Sequence, residues 1–174
     1  MPRTAKDLHD YLSHPTTLLP EPLPLEEVIA NIRQSHEQGG ATFSRYFGDA
    51  VGQPLYAVSV YPDRTAIIPG QTIPAALLKT FIQANQDLLK DARNAVGTRY
   101  NREEDAAYLD ITTLLEVRAE AVALARQYNQ IAIYDLARQV EVLTERTGEE
   151  ISGLPIPPNR LPALKRRRQR KNNG

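Results

Sequence analysis

Seven polar residues, Arg45, Arg64, Arg99, Asp110, Asn129, Gln130 and Asp135, are the side chains of this sequence whose types could do chemistry together. Arginines set beside carboxylates and amides can clamp a phosphorylated ligand or stabilise an oxyanion, because the guanidinium fork stays charged and offers five donors. The same residue types also form salt bridges and turn hydrogen bonds at strand ends, and PDRT at 62–65 is good turn chemistry by itself. An enzyme acting on nucleic acid or a nucleotide would need Arg64, Asp110 and Gln130 to meet in one cleft. The familiar catalytic spacings are missing: there is no GxSxG, no Walker loop and no HExxH. His9 and His14 lie in or beside the first segment, and His36 falls on an apolar helical stripe, where a histidine is a packing residue before it is a base or ligand. With no cysteine, thiolate nucleophiles, disulfides and the usual structural zinc sites are excluded together, and no metal or other cofactor is expected.

A second kind of chemistry lies in charge. Lys165, Arg166, Arg167, Arg168, Arg170 and Lys171 put six cations into seven residues. The whole chain has 21 basic and 21 acidic residues, so residues 1–164 hold 15 basic against 21 acidic and the body is as negative as the tail is positive. Clustered cations attract phosphate through counterion release, with a steep salt dependence and little sequence information. Nucleic acid or an acidic protein surface is the natural partner, and the competing contact is the protein's own acidic body.

These residues need elements to position them. TAKDLHDYL predicts a helix over 5–13, followed by a proline-stiffened linker to Pro24. Leu25, Val28, Ile29, Ile32 and His36 recur at helical spacing until Gly39-Gly40 stops the pattern. The period then changes to two in ATFSRYF and LYAVSVY, which read as a pair of antiparallel strands. A short AII extension follows. Thr72 is placed to cap a helix starting at Pro74, with a stripe of Leu77, Leu78, Phe81, Ile82, Leu88 and Leu89. AVGTRY and AAYLDIT flank NREED as a second hairpin. Thr113 and Glu116 have capping-box spacing ahead of a helix striped by Leu114, Val117, Ala121, Leu124 and Tyr128. QIAIYDL reads as a buried strand, and QVEVL as strand or helix. Beyond Gly148 a proline-rich linker leads to a disordered basic tail.

The fold class expected is α+β, a mostly antiparallel sheet of about five strands with helices on one face. Residues 1–24 form an N-terminal helix and linker, 25–147 the α+β domain, and 148–174 the second linker and tail. Alternation along the strands sends Tyr46, Ser59, Tyr61, Tyr108, Asp110, Thr112, Gln130 and Tyr134 to the face that carries no helix. Tyrosines on an open sheet offer flat amphipathic area for a base or a peptide. They are also good strand formers that keep their hydroxyls wet, and either reading fits the residues.

The blocks GGATFSRYFGD, YAVSVYPDR, NAVGTRY, YLDIT and YNQIAIYDL, in that order, resemble an uncharacterised domain of phages, prophages and other bacterial mobile elements. The domain resembles segments fused to phage head-morphogenesis proteins or to very large multidomain phage proteins, and the likeness spans residues 39–147. It implies a stand-alone copy encoded by a phage or accessory region. It also implies that any site among the blocks would use Ser59, Arg64, Asp110, Asn129, Gln130 and Asp135.

No apolar run approaches the roughly 18 residues that span a bilayer, and MPRTAKDLHDYL lacks a secretory h-region, so the expected setting is the host cytoplasm or a virion, without a membrane partner. The first functional expectation is a non-enzymatic accessory or virion-associated protein that contacts nucleic acid or an acidic assembly partner through its tail. One rival is an enzyme using the Arg/Asp/Gln set. The other is an inhibitor that binds a host protein through the tyrosine-rich face.

Overall fold

A long hairpin is the spine of the molecule. β5 (Asn94–Asn101) and β6 (Ala106–Leu115) pair antiparallel from Asn101↔Ala106 to Asn94↔Thr113. Asp105 closes the turn between them at φ 48°, a left-handed conformation that Asp tolerates better than most residues. The structure is a computed structural model that describes residues 5–14 and 19–145.

The other strands add to the two edges of this hairpin. β1 (Ala41–Ser44) lies against β5, with the two-residue β2 (Gly48–Asp49) beyond it. On the other edge of β6, β3 (Tyr56–Val58) pairs with Thr113–Leu115 and β4 (Ala66–Pro69) with Ala106–Leu109. β7 (Ala132–Asp135) continues from β3, and β8 (Val140–Leu143) follows it. All seven pairings are antiparallel, in the order β2-β1-β5-β6-β3-β7-β8 with β4 beside β6.

Two apolar clusters sandwich the sheet. Inward residues Phe43, Val58, Val96, Leu109, Ile111 and Ile133 meet α2 (Leu25–Glu37), α3 (Ala75–Ala84), α4 (Gln86–Leu89) and α5 (Arg118–Gln127). On the opposite face, α1 (Ala5–Ser13) lays Leu8 and Leu12 against Tyr46, Phe47, Leu55 and Leu114. Nine residues are too few for a helix to hold alone in water. Full burial of two leucines stabilises by roughly 3–6 kcal/mol as an upper figure, which is what keeps α1 formed. Among the described residues no helix is long and apolar enough to cross a membrane.

Several expectations are corrected here. The sheet has eight strands, not about five, because β2, β4 and β8 are only two to four residues long and leave almost no alternating pattern. ATFSRYF and LYAVSVY do not pair with each other. Ser44 Oγ accepts the backbone N–H groups of Tyr46 at 3.2 Å and Phe47 at 3.1 Å, a local turn that ends β1 and separates the two segments. The helices do not all share one face, since α1 covers the other. Thr113 caps nothing: it lies within β6, where its hydroxyl donates to Asn94 Oδ1 at 2.9 Å, and α5 starts only at Arg118. Thr72 does not cap α3 either; Pro74 occupies the N-cap position without a side-chain bond. The stripe through Leu89 is broken at Asn85, whose amide turns back to the Phe81 carbonyl and separates α3 from α4. The basic segment Lys165–Lys171 and its linker lie outside the described residues.

Candidate functional site

α1 covers one end of the second sheet face, and the rest of that face is a groove of about 500 Å³. Strand alternation builds its floor. Thr42 of β1 stands opposite Gly97 of β5, and Gly97 stands opposite Asp110 of β6, so one row crosses three strands with a missing side chain at its centre. Thr112, Ser59 and Tyr134 continue the floor, and Arg99, Asp49 and Glu141 stand around it. The C-terminal turn of α2 reaches the rim through Gln38 and Gly39.

Gly40 sets this rim. Its φ of +141° suits only glycine, and a Cβ there would stand 2.9 Å from the Thr98 carbonyl oxygen. The chain can therefore run directly from α2 onto β1. His36, on the last turn of α2, is buried between Thr98 and Gln71 and serves as a packing residue, with both ring nitrogens engaged.

The polar groups of the groove are partly tied. Thr65 Oγ1 donates to Asp110 Oδ1 at 2.6 Å. Asp49 accepts from Ser35 Oγ at 2.9 Å and from the Val51 N–H at 3.0 Å. The Arg99 guanidinium lies 4.3 Å from the centre of the Tyr108 ring, a cation–π arrangement. The Tyr108 hydroxyl donates to Glu104 Oε2 at 2.6 Å, and that hydrogen bond raises its pKa. Burial raises the pKa of Tyr134, with the Glu141 carboxylate adding to the shift.

Of the residues singled out in the sequence, Ser59, Arg99, Asp110, Thr112 and Tyr134 share this groove, and Tyr108 flanks it beneath Arg99. The others are elsewhere. Tyr46 and Tyr61 are not on the open face: they are sunk to 8% and 4% exposure, in the smaller and the larger cluster respectively. Tyr61 departs from the alternation because β3 stops at Val58 and the chain then leaves the ladder for the 3₁₀ turn Pro62–Arg64. Arg64 makes a bidentate pair with Asp87 at 3.0 and 2.8 Å and reaches Asn85 at 2.9 Å. Arg45 donates to the Leu23 carbonyl. Asn129 and Gln130 form the turn after α5, Asn129 at φ 52° and Gln130 with its N–H on the Ala125 carbonyl at 2.8 Å. Asp135 is buried and accepts the Arg138 N–H, turning β7 into β8. Asp110 lines the groove, whereas Arg64 and Gln130 do not.

Sequence reasoning missed Thr42, Gly97, Asp49 and Glu141. Gly97 carried a usable signal: glycine inside a strand marks a close approach or an opening in the surface. Among the described residues no group of three or more His, Cys, Asp or Glu side chains is arranged to hold a metal ion. The chain matches no family model, no curated protein and no solved structure.

Proposed function

We propose that this chain is a non-enzymatic accessory protein of a phage or bacterial mobile element. It engages a polyanion, nucleic acid or an acidic protein surface, through Lys165, Arg166, Arg167, Arg168, Arg170 and Lys171. The observation that carries this reading is the partition of charge between an acidic body and a basic segment. Five of the body's arginines are engaged within the fold. Arg33, Arg45 and Arg126 each donate to a backbone carbonyl, and Arg64 and Arg93 are paired with Asp87 and Asp91. Lys90, Arg102, Arg118 and Arg138 of the body are exposed as well, so what sets residues 165–171 apart is the density of positive charge along the sequence. The phage setting is supported by the likeness of the five blocks between residues 39 and 147.

Fluorescence anisotropy with a labelled DNA duplex and with poly-glutamate tests the reading. The full chain is compared with a full-length variant in which all six basic residues become Gln. Six phosphate contacts predict that DNA affinity falls about a thousand-fold between 50 and 200 mM salt. The Gln variant is expected to lose binding to both probes at low salt. Equal binding by the two proteins, or affinity indifferent to salt, would overturn the proposal.

A further inference from the structure

Two largely buried threonines of the groove floor have hydroxyls without a protein partner among the described residues. Thr42 is 7% exposed and Thr112 is 5% exposed, and both line the cavity. Neither hydroxyl is among the buried polar atoms left without a partner, so both are open to the groove, where a ligand could bond them. They are not sealed errors of packing. Among the described residues the buried side-chain polar atom closed off without a partner is the Tyr61 hydroxyl, in the other cluster, whereas the threonines open onto the groove.

Between them the strand lacks a side chain. A Cβ on Gly97 would meet Thr112 Cγ2 at 3.7 Å and Asp110 Cβ at 3.9 Å, ordinary contact distances. Steric exclusion does not require glycine here, and its φ is not in the left-handed region. What glycine provides at this position is depth, and at about 500 Å³ the cavity has the size of a small-ligand site.

The charge around the cavity is one-sided. Asp49, Asp110 and Glu141 contribute three carboxylates, against Arg99 alone, which is drawn over the Tyr108 ring. Glu141 has no hydrogen bond or ion pair among the described residues, and Thr65 takes only one of the several lone-pair sites on Asp110. The C-terminal end of α2 at the rim adds partial negative charge. We infer that the groove is a binding site for a ligand carrying an ammonium or guanidinium group, of amino-acid to short-peptide size, with Asp110 and Glu141 holding the cation and the Thr42 and Thr112 hydroxyls bonding the polar body. This inference does not depend on the polyanion reading of the basic segment.

Titration of the ¹⁵N-labelled full chain with agmatine, L-argininamide and spermidine, followed by amide shifts, tests it. Citrate and AMP serve as anionic controls. Saturable shifts at Gly97, Asp110 and Thr112 are expected with at least one cation and with neither anion. Gly97→Leu fills the cavity and is expected to weaken binding at least tenfold. Should that variant fail to fold, Thr112→Val combined with the exposed Glu141→Gln keeps the test open, with the same direction of effect. Repeating the titration on the full-length chain with its six basic residues replaced by Gln separates two sources of the cation. Unchanged affinity marks a ligand from solution, and tighter binding marks residues 165–171 as an intramolecular competitor for the same groove; both outcomes uphold the site. Absence of saturable groove shifts with every cation in both chains would sink the proposal, as would equal response in a folded filled-groove variant or anions binding as well as cations.

Discussion

His36 is joined to Thr98 across the gap between α2 and β5, with ring Nδ1 2.9 Å from Thr98 Oγ1 while Nε2 lies 2.8 Å from the Gln71 carbonyl oxygen. A carbonyl can only accept, so Nε2 carries a proton there, and Nδ1 shares the second hydrogen bond with the threonine hydroxyl. The ring bridges a helix end, a strand and the loop before α3. His36→Leu keeps the apolar volume and breaks both bonds. The expected loss is about 2–3 kcal/mol. Urea unfolding at neutral pH should show the midpoint fall at constant slope.

Gly40→Ala tests the junction beside it. The substitution meets a left-handed φ and a Cβ only 2.9 Å from backbone that belongs to β5 and cannot easily move. A cost of about 1–3 kcal/mol is expected from strain of this kind. Gly39→Ala, whose Cβ meets nothing within 4 Å, should be milder by the same assay, because only the backbone conformation opposes it.

Burial raises the pKa of Tyr46, Tyr61, Tyr128 and Tyr134 in the folded protein. In the unfolded chain a tyrosine ionises near pH 10. The folded state therefore keeps its protons longer, so stability is full below about pH 10 and falls as pH rises toward the folded values. Thermal melts across the alkaline range should show this decline, and Tyr61→Phe should make it shallower. At neutral pH the same variant should lie within about 1 kcal/mol of the parent, because the hydroxyl it removes has no partner at good geometry. A loss above about 2 kcal/mol would mean that Asn94, which lies beside the ring, bonds the hydroxyl after all.

Arg64 holds Asp87 below the ordinary carboxylate range, chiefly through its two hydrogen bonds. The sign follows from the lowered folded value. The pair's contribution is present above the unfolded pKa of about 3.9 and is lost as pH falls through the folded one. Asp87 is exposed and Arg64 partly so, and solvent screens the pair, so the contribution should stay under about 1 kcal/mol. Asp87→Asn should flatten that part of the acid limb. An NMR titration of the Asp87 carboxyl should give a midpoint below that of free aspartate.

Local pattern made some of this structure legible and long-range pairing hid the rest. The apolar spacing of Val28, Ile29, Ile32 and His36 marks α2 directly, and the two runs around NREED announce the β5–β6 hairpin. Nothing local says that Ala41 will pair with Thr98, or that β3 and β4 will share one edge of β6. Alternation puts Ser59, Asp110, Thr112 and Tyr134 together on the groove face because each lies on or beside a ladder. It fails for Tyr61, three residues past the end of β3, where no partner strand enforces the period. The groove's depth was the hardest feature to read, because it depends on a side chain that Gly97 lacks.

The β5–β6 hairpin has a kinetic consequence. Its strands are separated by only four residues, so it closes with little loss of chain entropy, while every other pairing of β5 and β6 spans a longer loop. Folding should start at this turn and recruit β1, β3 and β4 afterwards. Asp105→Val, which forces a β-branched residue into a left-handed conformation, should slow refolding in stopped-flow measurements. Ile133→Val in β7, at a buried position of the larger cluster, should act mainly on the unfolding rate. The time this protein takes to reach its native state is then set by Arg102–Asp105, far along the chain from the basic residues at 165–171.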